Sequence, residues 1–134
     1  MKLILTFIIC FSLNLNLFCQ NSSNFIIKTW IKVGSNDPYN GDEIKAIDTV
    51  TNKQTIKFTS DNYYYKKDAW NNVYGKWKCN LSCSRIGMNI LKSNKESFRD
   101  RPIEEYNLEI VQLTSNSLVI GQKGRHGICK DYYV

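Results

Sequence analysis

The sequence predicts an all-β fold, a single antiparallel up-and-down β-barrel of about eight strands. Two observations carry this. β-branched and aromatic runs of period two recur between residues 25 and 134, with turn-forming residues separating them every roughly 8–12 positions. Helical periodicity is nearly absent over the same stretch. Successive runs joined by short connections favour antiparallel neighbours, and such a meander removes its exposed edges by closing on itself.

The elements follow in order. Phe25-Ile26-Ile27-Lys28-Thr29-Trp30-Ile31-Lys32-Val33 is β-branched and aromatic and is expected as the first strand. Residues 34–42 are dense in Gly, Asn, Asp and Pro and should form a loop, and residues 43–50 fit either one helical turn or a short strand. Thr55-Ile56-Lys57-Phe58-Thr59 alternates, Ser60-Asp61-Asn62 turns, and Tyr63-Tyr64-Tyr65-Lys66-Lys67 returns, which predicts a hairpin. Asp68-Ala69-Trp70-Asn71-Asn72 connects to the run at 73–79, where Val73, Gly75, Trp77 and Cys79 share a face. Asn80-Leu81-Ser82 turns into 85–90, with Ile86, Met88 and Ile90 on one face. Residues 92–102 are polar and should be a solvated loop. Glu105-Tyr106-Asn107-Leu108-Glu109-Ile110 alternates strictly, 114–117 turns into Leu118-Val119-Ile120, 121–127 is a glycine-bearing turn, and 128–134 is the last strand.

The N-terminus predicts export. Met1-Lys2 is a short positive start, Leu3 to Phe11 is apolar, Ser12 to Cys19 is more polar, and the chain then changes abruptly into Gln20-Asn21-Ser22-Ser23-Asn24. A membrane span needs about 20 predominantly apolar residues, and Asn14 and Asn16 interrupt this run. Residues 1–19 are therefore expected to be a cleaved signal peptide and residues 20–134 one β-barrel domain with no transmembrane segment, periplasmic or secreted. The alternative makes Cys19 a lipoprotein acceptor on the outer membrane, but the bulky Phe18 precedes it where a small residue is required.

The mature chain carries 17 Lys and Arg against 12 Asp and Glu. The basic residues are scattered as singles and pairs, without the concentrated patch that phosphate binding uses, so no nucleic-acid partner is expected. The charge suits solubility, an anionic envelope, or an acidic protein partner.

Catalytic chemistry is poorly supported. His126 is the sole histidine, its nearest nucleophile is Cys129, and residues three apart on a strand point to opposite faces. Gly124 and Gly127 flank His126, which reads as a turn residue. Glu104-Glu105 and Asp42-Glu43 are adjacent loop or strand-end carboxylates with no reason to be a dyad. No enzyme, cofactor or metal is therefore expected. Cys79-x-x-x-Cys83 with His126-x-x-Cys129 has the composition of a zinc set, but exported cysteines usually oxidise. Three mature cysteines, Cys79, Cys83 and Cys129, allow one disulfide and one thiol left over: Cys79 with Cys83 staples a hairpin, whereas Cys129 with either ties the last strand to the middle of the chain.

Several pieces resemble a bacterial lipocalin-like domain. They are Lys28-Thr29-Trp30 in the first strand, the hairpin of Ile56-Lys57-Phe58 and Tyr63-Tyr64-Tyr65, Gly75-Lys76-Trp77, the strand from Tyr106 to Thr114 running into Leu118-Val119-Ile120, and the terminal Asp131-Tyr132-Tyr133. Lipocalins proper place Gly where Lys28 stands, and the arginine they pack over the tryptophan falls here to Arg125 or a lysine. The resemblance implies a barrel just large enough for side chains or one small ligand. It implies an exported binding protein for a small hydrophobic or amphipathic ligand, with Phe58, Trp77, Met88, Tyr106 and Leu108 lining the interior and an opening near residues 35–42 or 92–102. It also leans toward tethering the C-terminal region through Cys129. The competing expectation is a filled barrel that acts on a protein partner through its surface, as an envelope inhibitor or toxin-neutralising module, with Tyr39 and Trp70 as anchors.

Overall fold

The computed structural model describes residues 24–41, 43–80, 82–94 and 105–134, without the side chains of Asn40, Glu105 and Tyr106. The expected leader, Cys19 and most of the 92–102 loop lie outside these residues. The described residues form one antiparallel sheet of nine strands: β1 (Thr29–Asn36), β2 (Lys45–Ala46), β3 (Thr55–Phe58), β4 (Tyr63–Lys67), β5 (Asn72–Cys79), β6 (Arg85–Ser93), β7 (Glu105–Leu113), β8 (Leu118–Gly124) and β9 (Gly127–Tyr133). Among the described residues no helix is long and apolar enough to cross a membrane.

Eight of these strands form a closed ring. The first half of β1 pairs with β3, Thr29 opposite Lys57, and its second half pairs with β9, Lys32 opposite Tyr133 through Asn36 opposite Lys130. The two-residue β2 lies outside the ring, on the same edge of β1 as β3. The closing seam is reinforced at both ends. Ile31 and Val134 exchange backbone hydrogen bonds of 2.9 Å, and the buried Asn36 accepts the Lys130 amide at 2.9 Å. Register shifts between Lys32 and Gly34, Tyr74 and Gly75, and Ile110 and Gln112 supply the local bends that let a short sheet curl shut.

One end of the barrel is plugged. Alternating connections put the N-terminal segment and the turns at 59–62, 80–84 and 114–117 at the same end. The β-branched run at 25–27 was expected to be strand; residues 24–26 are instead a single helical turn. Burial decides this: the turn drops Ile26, fully buried, beneath the fully buried Trp30, whose Nε1 donates to the Ile26 carbonyl at 3.0 Å. Phe58 and Trp77 meet edge to ring at 5.3 Å on the same level, and Trp77 Nε1 donates to the Thr59 carbonyl at 3.2 Å. Such paired aromatics with a satisfied indole N–H are a stable way to fill a barrel floor. The arginine position over Trp30 is taken by Lys28, whose ammonium lies 4.0 Å from the ring centroid and also donates to the Ser115 carbonyl. Arg125 sits at the opposite end, in the turn between β8 and β9.

Smaller departures follow from strand length. The ambiguous 43–50 segment contains the short strand β2. β1 runs on to Asn36 and β8 to Gly124, so the expected loop at 34–42 and the turn at 121–127 are both shorter than their turn-forming residues suggest.

Candidate functional site

A cavity of about 350 Å³ occupies the barrel above the aromatic floor. Its inner wall is apolar, from Ile56, Tyr64, Val73, Met88, Ile90, Leu108, Ile120 and Tyr133, while Lys66, Asp68, Asn71, Gln122, Cys129 and Asp131 bring polar groups to it. The strand period produces both sets. On β4, Tyr64 points inward and so does Lys66; on β9, Tyr133, Asp131 and Cys129 alternate inward together. The polar members lie toward the end opposite the plug, where the connections at 37–54, 68–71 and 125–126 emerge, and among the described residues this is the open end of the barrel.

The polar wall is held in place by its own bonds. Asp131 pairs with Lys32 at 2.8 Å, and Lys32 sits opposite the inward Tyr133, so the ion pair faces the interior. Burial, and after it the Asp131 carboxylate, holds the Tyr133 phenol far above its ordinary range, so it remains a neutral O–H donor. Burial pushes the Asp68 carboxyl up, but the amides of Trp70 and Asn71, at 2.9 and 2.8 Å, outweigh it and keep the group below its usual range. The mouth therefore carries a fixed carboxylate beside Lys66, whose charge contributes to the same lowering.

The residues expected to line the interior separate into two levels. Met88 and Leu108 line the cavity. Phe58 and Trp77 are buried in the floor below it. Tyr106 pairs with Met88 in register on β7, and its side chain lies outside the described residues. Sequence reasoning missed Lys66, Asp68, Asn71, Gln122, Asp131 and Tyr133; the period of β4 and β9 carries the signal for Lys66 and Asp131 once Tyr64 and Tyr133 are known to point inward.

The cysteines correct the expectation of a tethered C-terminus. Cys79 and Cys83 stand at disulfide distance, Cα to Cα 5.2 Å, across the connection between β5 and β6. Cys129 is exposed and free, its Sγ 3.9 Å from Asp37 Oδ1. The physical reason is topological: the Cys79–Cys83 pair is at the plugged end and Cys129 at the open end. The same separation keeps Cys79 and Cys83 away from His126 and Cys129, and no cluster of three or more His, Cys, Asp or Glu suited to a metal is present among the described residues. His126 occupies the β8–β9 turn, its ring 5.1 Å from that of Tyr39.

No protein-family model and no curated protein sequence matches the chain. In three dimensions the chain is similar to a lipocalin-like protein from Bacteroides uniformis ATCC 8492, with a TM-score of 0.58 and 11% identity, over 81% of this chain and 96% of that one. The likeness is one of fold, and the barrel is lipocalin-like.

Proposed function

We propose that this lipocalin-like barrel is an exported, non-catalytic carrier that holds one small hydrophobic or amphipathic molecule in its cavity. The carrying observation is the cavity of about 350 Å³ itself, apolar on its inner wall and polar toward the mouth. That volume falls at the lower end of small-molecule sites, which run roughly 300–1,000 Å³ and are mostly apolar with a few placed polar groups. An apolar body would rest against Met88, Leu108, Ile90 and Ile120, and a polar end would meet Lys66, Asp68 or Asp131. A barrel acting only through its surface would have no use for this void, so the cavity favours the carrier over the protein-binding module.

Export rests on the leader-like residues 1–19, which leave residues 20–134 as the mature domain. The Cys79–Cys83 pair supports it, because disulfides persist in oxidising compartments. Release as a soluble periplasmic or secreted protein is preferred to lipidation at Cys19.

Native mass spectrometry of protein recovered from the export compartment tests the reading. A small-molecule adduct that disappears on denaturation supports the carrier and supplies a mass to identify. A bare protein that also takes up no apolar probe in solution removes it.

A further inference from the structure

The sequence disperses its basic residues, and the strand pairing gathers them. β3, β4, β5 and β6 together carry six lysines, one arginine and no carboxylate. Lys66 turns toward the cavity, and the other six basic side chains are exposed. The connections between these strands add two carboxylates, Asp61 and Asp68. Asp61 accepts from Thr59 Oγ1, and Asp68 belongs to the cavity mouth and accepts from its own turn amides. Asp48, before β3, is likewise bound within its own turn. On the flanking strands β1 has no carboxylate, while β7 carries Glu105 and Glu109, the latter opposite Arg85.

A tyrosine stack lies at the centre of this wall. Tyr64 and Lys66 line the cavity, so Tyr63 and Tyr65 take the outer face of β4. Register then sets their neighbours. Lys57, Tyr65 and Tyr74 stand opposite one another in one row across β3, β4 and β5, and Tyr63 stands opposite Lys76 in the next row. Lys78 continues the same face of β5. The Tyr74 ring lies between the other two, its centroid 5.4 Å from that of Tyr63, nearly parallel at 8°, and 5.0 Å from that of Tyr65. Lys76 Nζ is 5.7 Å from the Tyr63 ring. These side chains are held together by strand pairing, whereas Tyr39 and Trp70, the anchors expected from the sequence, stand on separate connections at the open end.

We propose that the outer wall of β3, β4 and β5 binds an extended acidic polypeptide segment, its carboxylates meeting Lys57, Lys76 and Lys78 and the tyrosine stack forming the centre of the contact. Charge decides the sign of the partner, because this wall is basic and its own strands hold nothing to neutralise it. Ring geometry decides the kind. Parallel rings this close overlap face on face with an offset, so the stack spends its faces on itself and leaves ring edges and phenol hydroxyls for a partner. Phenol O–H and ammonium are both donors, and carboxylates accept from both. Single-stranded nucleic acid binds by stacking its bases on free aromatic faces, which this stack lacks. Size decides the form. Three strands by about five residues give a patch of about 10 Å by 17 Å, well short of the roughly 800 Å² that a folded partner covers. Tyrosines already stacked also lose little freedom on binding. The face lies outside the barrel wall, so this inference is independent of the carrier reading.

The test is fluorescence anisotropy of a labelled poly-glutamate peptide titrated with the purified protein. Saturable binding that weakens as salt rises is expected. The Lys57→Glu/Lys76→Glu pair should weaken it by roughly tenfold or more, and Tyr65→Ser by roughly tenfold, both at near-parent melting temperature. If the reversed pair does not fold, Lys57→Gln/Lys76→Gln replaces it. Lys45→Glu/Lys123→Glu makes the same change in net charge on β2 and β8 and should weaken binding by no more than about twofold. Absence of binding by the parent overturns the proposal, as does parent-like binding by the Lys57/Lys76 pair. Equal loss in the Lys45/Lys123 pair reduces the effect to net charge and also overturns it. Competition at equal charge concentration settles the class of partner. Displacement of the peptide more effectively by oligothymidylate, polygalacturonate or phosphatidylglycerol vesicles than by unlabelled poly-glutamate reassigns the face and overturns the acidic polypeptide.

Discussion

Lys32 on β1 and Asp131 on β9 form a 2.8 Å ion pair across the seam that closes the barrel, with their side chains 15% and 36% exposed. The pair belongs at once to the closure and to the cavity wall, so its removal touches stability and binding together. Asp131→Asn leaves a shielded ammonium without its counter-charge. The expected loss is about 1–2 kcal/mol, between the small value of an exposed pair and the several kcal/mol of a fully buried one. Urea unfolding reads it, and Lys32→Met should be milder because the charge it leaves unpaired, the Asp131 carboxylate, is the more exposed of the two.

Alkaline pH should unfold the protein through Tyr133. Burial, then the Asp131 charge, raises the folded-state phenol above its ordinary 10.0. A raised acid keeps its proton when folded and loses it first when unfolded, so its stabilisation is intact below pH 10 and drains away as pH rises toward the folded value. The slope from this one group is about 1.4 kcal/mol per pH unit. Urea midpoints compared between about pH 9 and pH 11 should fall more steeply in the parent than in Tyr133→Phe.

Gly75 should accept no side chain. A Cβ there would stand 1.9 Å from the Asn89 carbonyl oxygen and 2.6 Å from Tyr64 Cε1, and the first of these is backbone of the neighbouring strand β6. The register shift between Tyr74 and Gly75 brings the two strands together at this point. Gly75→Ala is expected to cost about 3 kcal/mol or more, whereas an alanine at Gly124, where the nearest atom is 3.5 Å away, should be tolerated. Thermal melts of the two variants separate these outcomes.

The thiols should behave unequally. Without reductant, alkylation is expected at Cys129 and absent at Cys79 and Cys83. Removing the Cys79–Cys83 bridge by paired Cys→Ala substitution frees a connection of sequence separation 4, for which chain entropy predicts a loss of about 2 kcal/mol. Peptide mapping after alkylation checks the first statement and denaturant unfolding the second.

Much of this barrel is legible in the sequence because one face of each strand is buried and the side-chain period is two. Trp77, Ile86, Met88 and Leu108 fall on inward faces that alternation alone identifies. The N-terminal run misleads for the same reason. Phe25, Ile26 and Ile27 have strand propensity, and only the need to cover Trp30 turns them into a plug, a tertiary demand that local pattern does not carry. In Tyr63-Tyr64-Tyr65 and Cys129-Lys130-Asp131-Tyr132-Tyr133 the residues on both faces are amphipathic, so the parity that sends Tyr64, Asp131 and Tyr133 inward is set by the register of neighbouring strands. The disulfide was open in the sequence because three cysteines permit every pairing; which end of the barrel each occupies decides it.

A carrier requires a hollow barrel that admits a ligand. Fluorescence titration with anilinonaphthalene sulfonate, in the parent and in Leu108→Trp, measures this most directly, since Leu108 lines the void and an indole there would occupy it. The prediction is saturable uptake at one site in the parent and roughly tenfold weaker uptake in the variant. Absence of saturable uptake in the parent, or equal uptake in both, contradicts it.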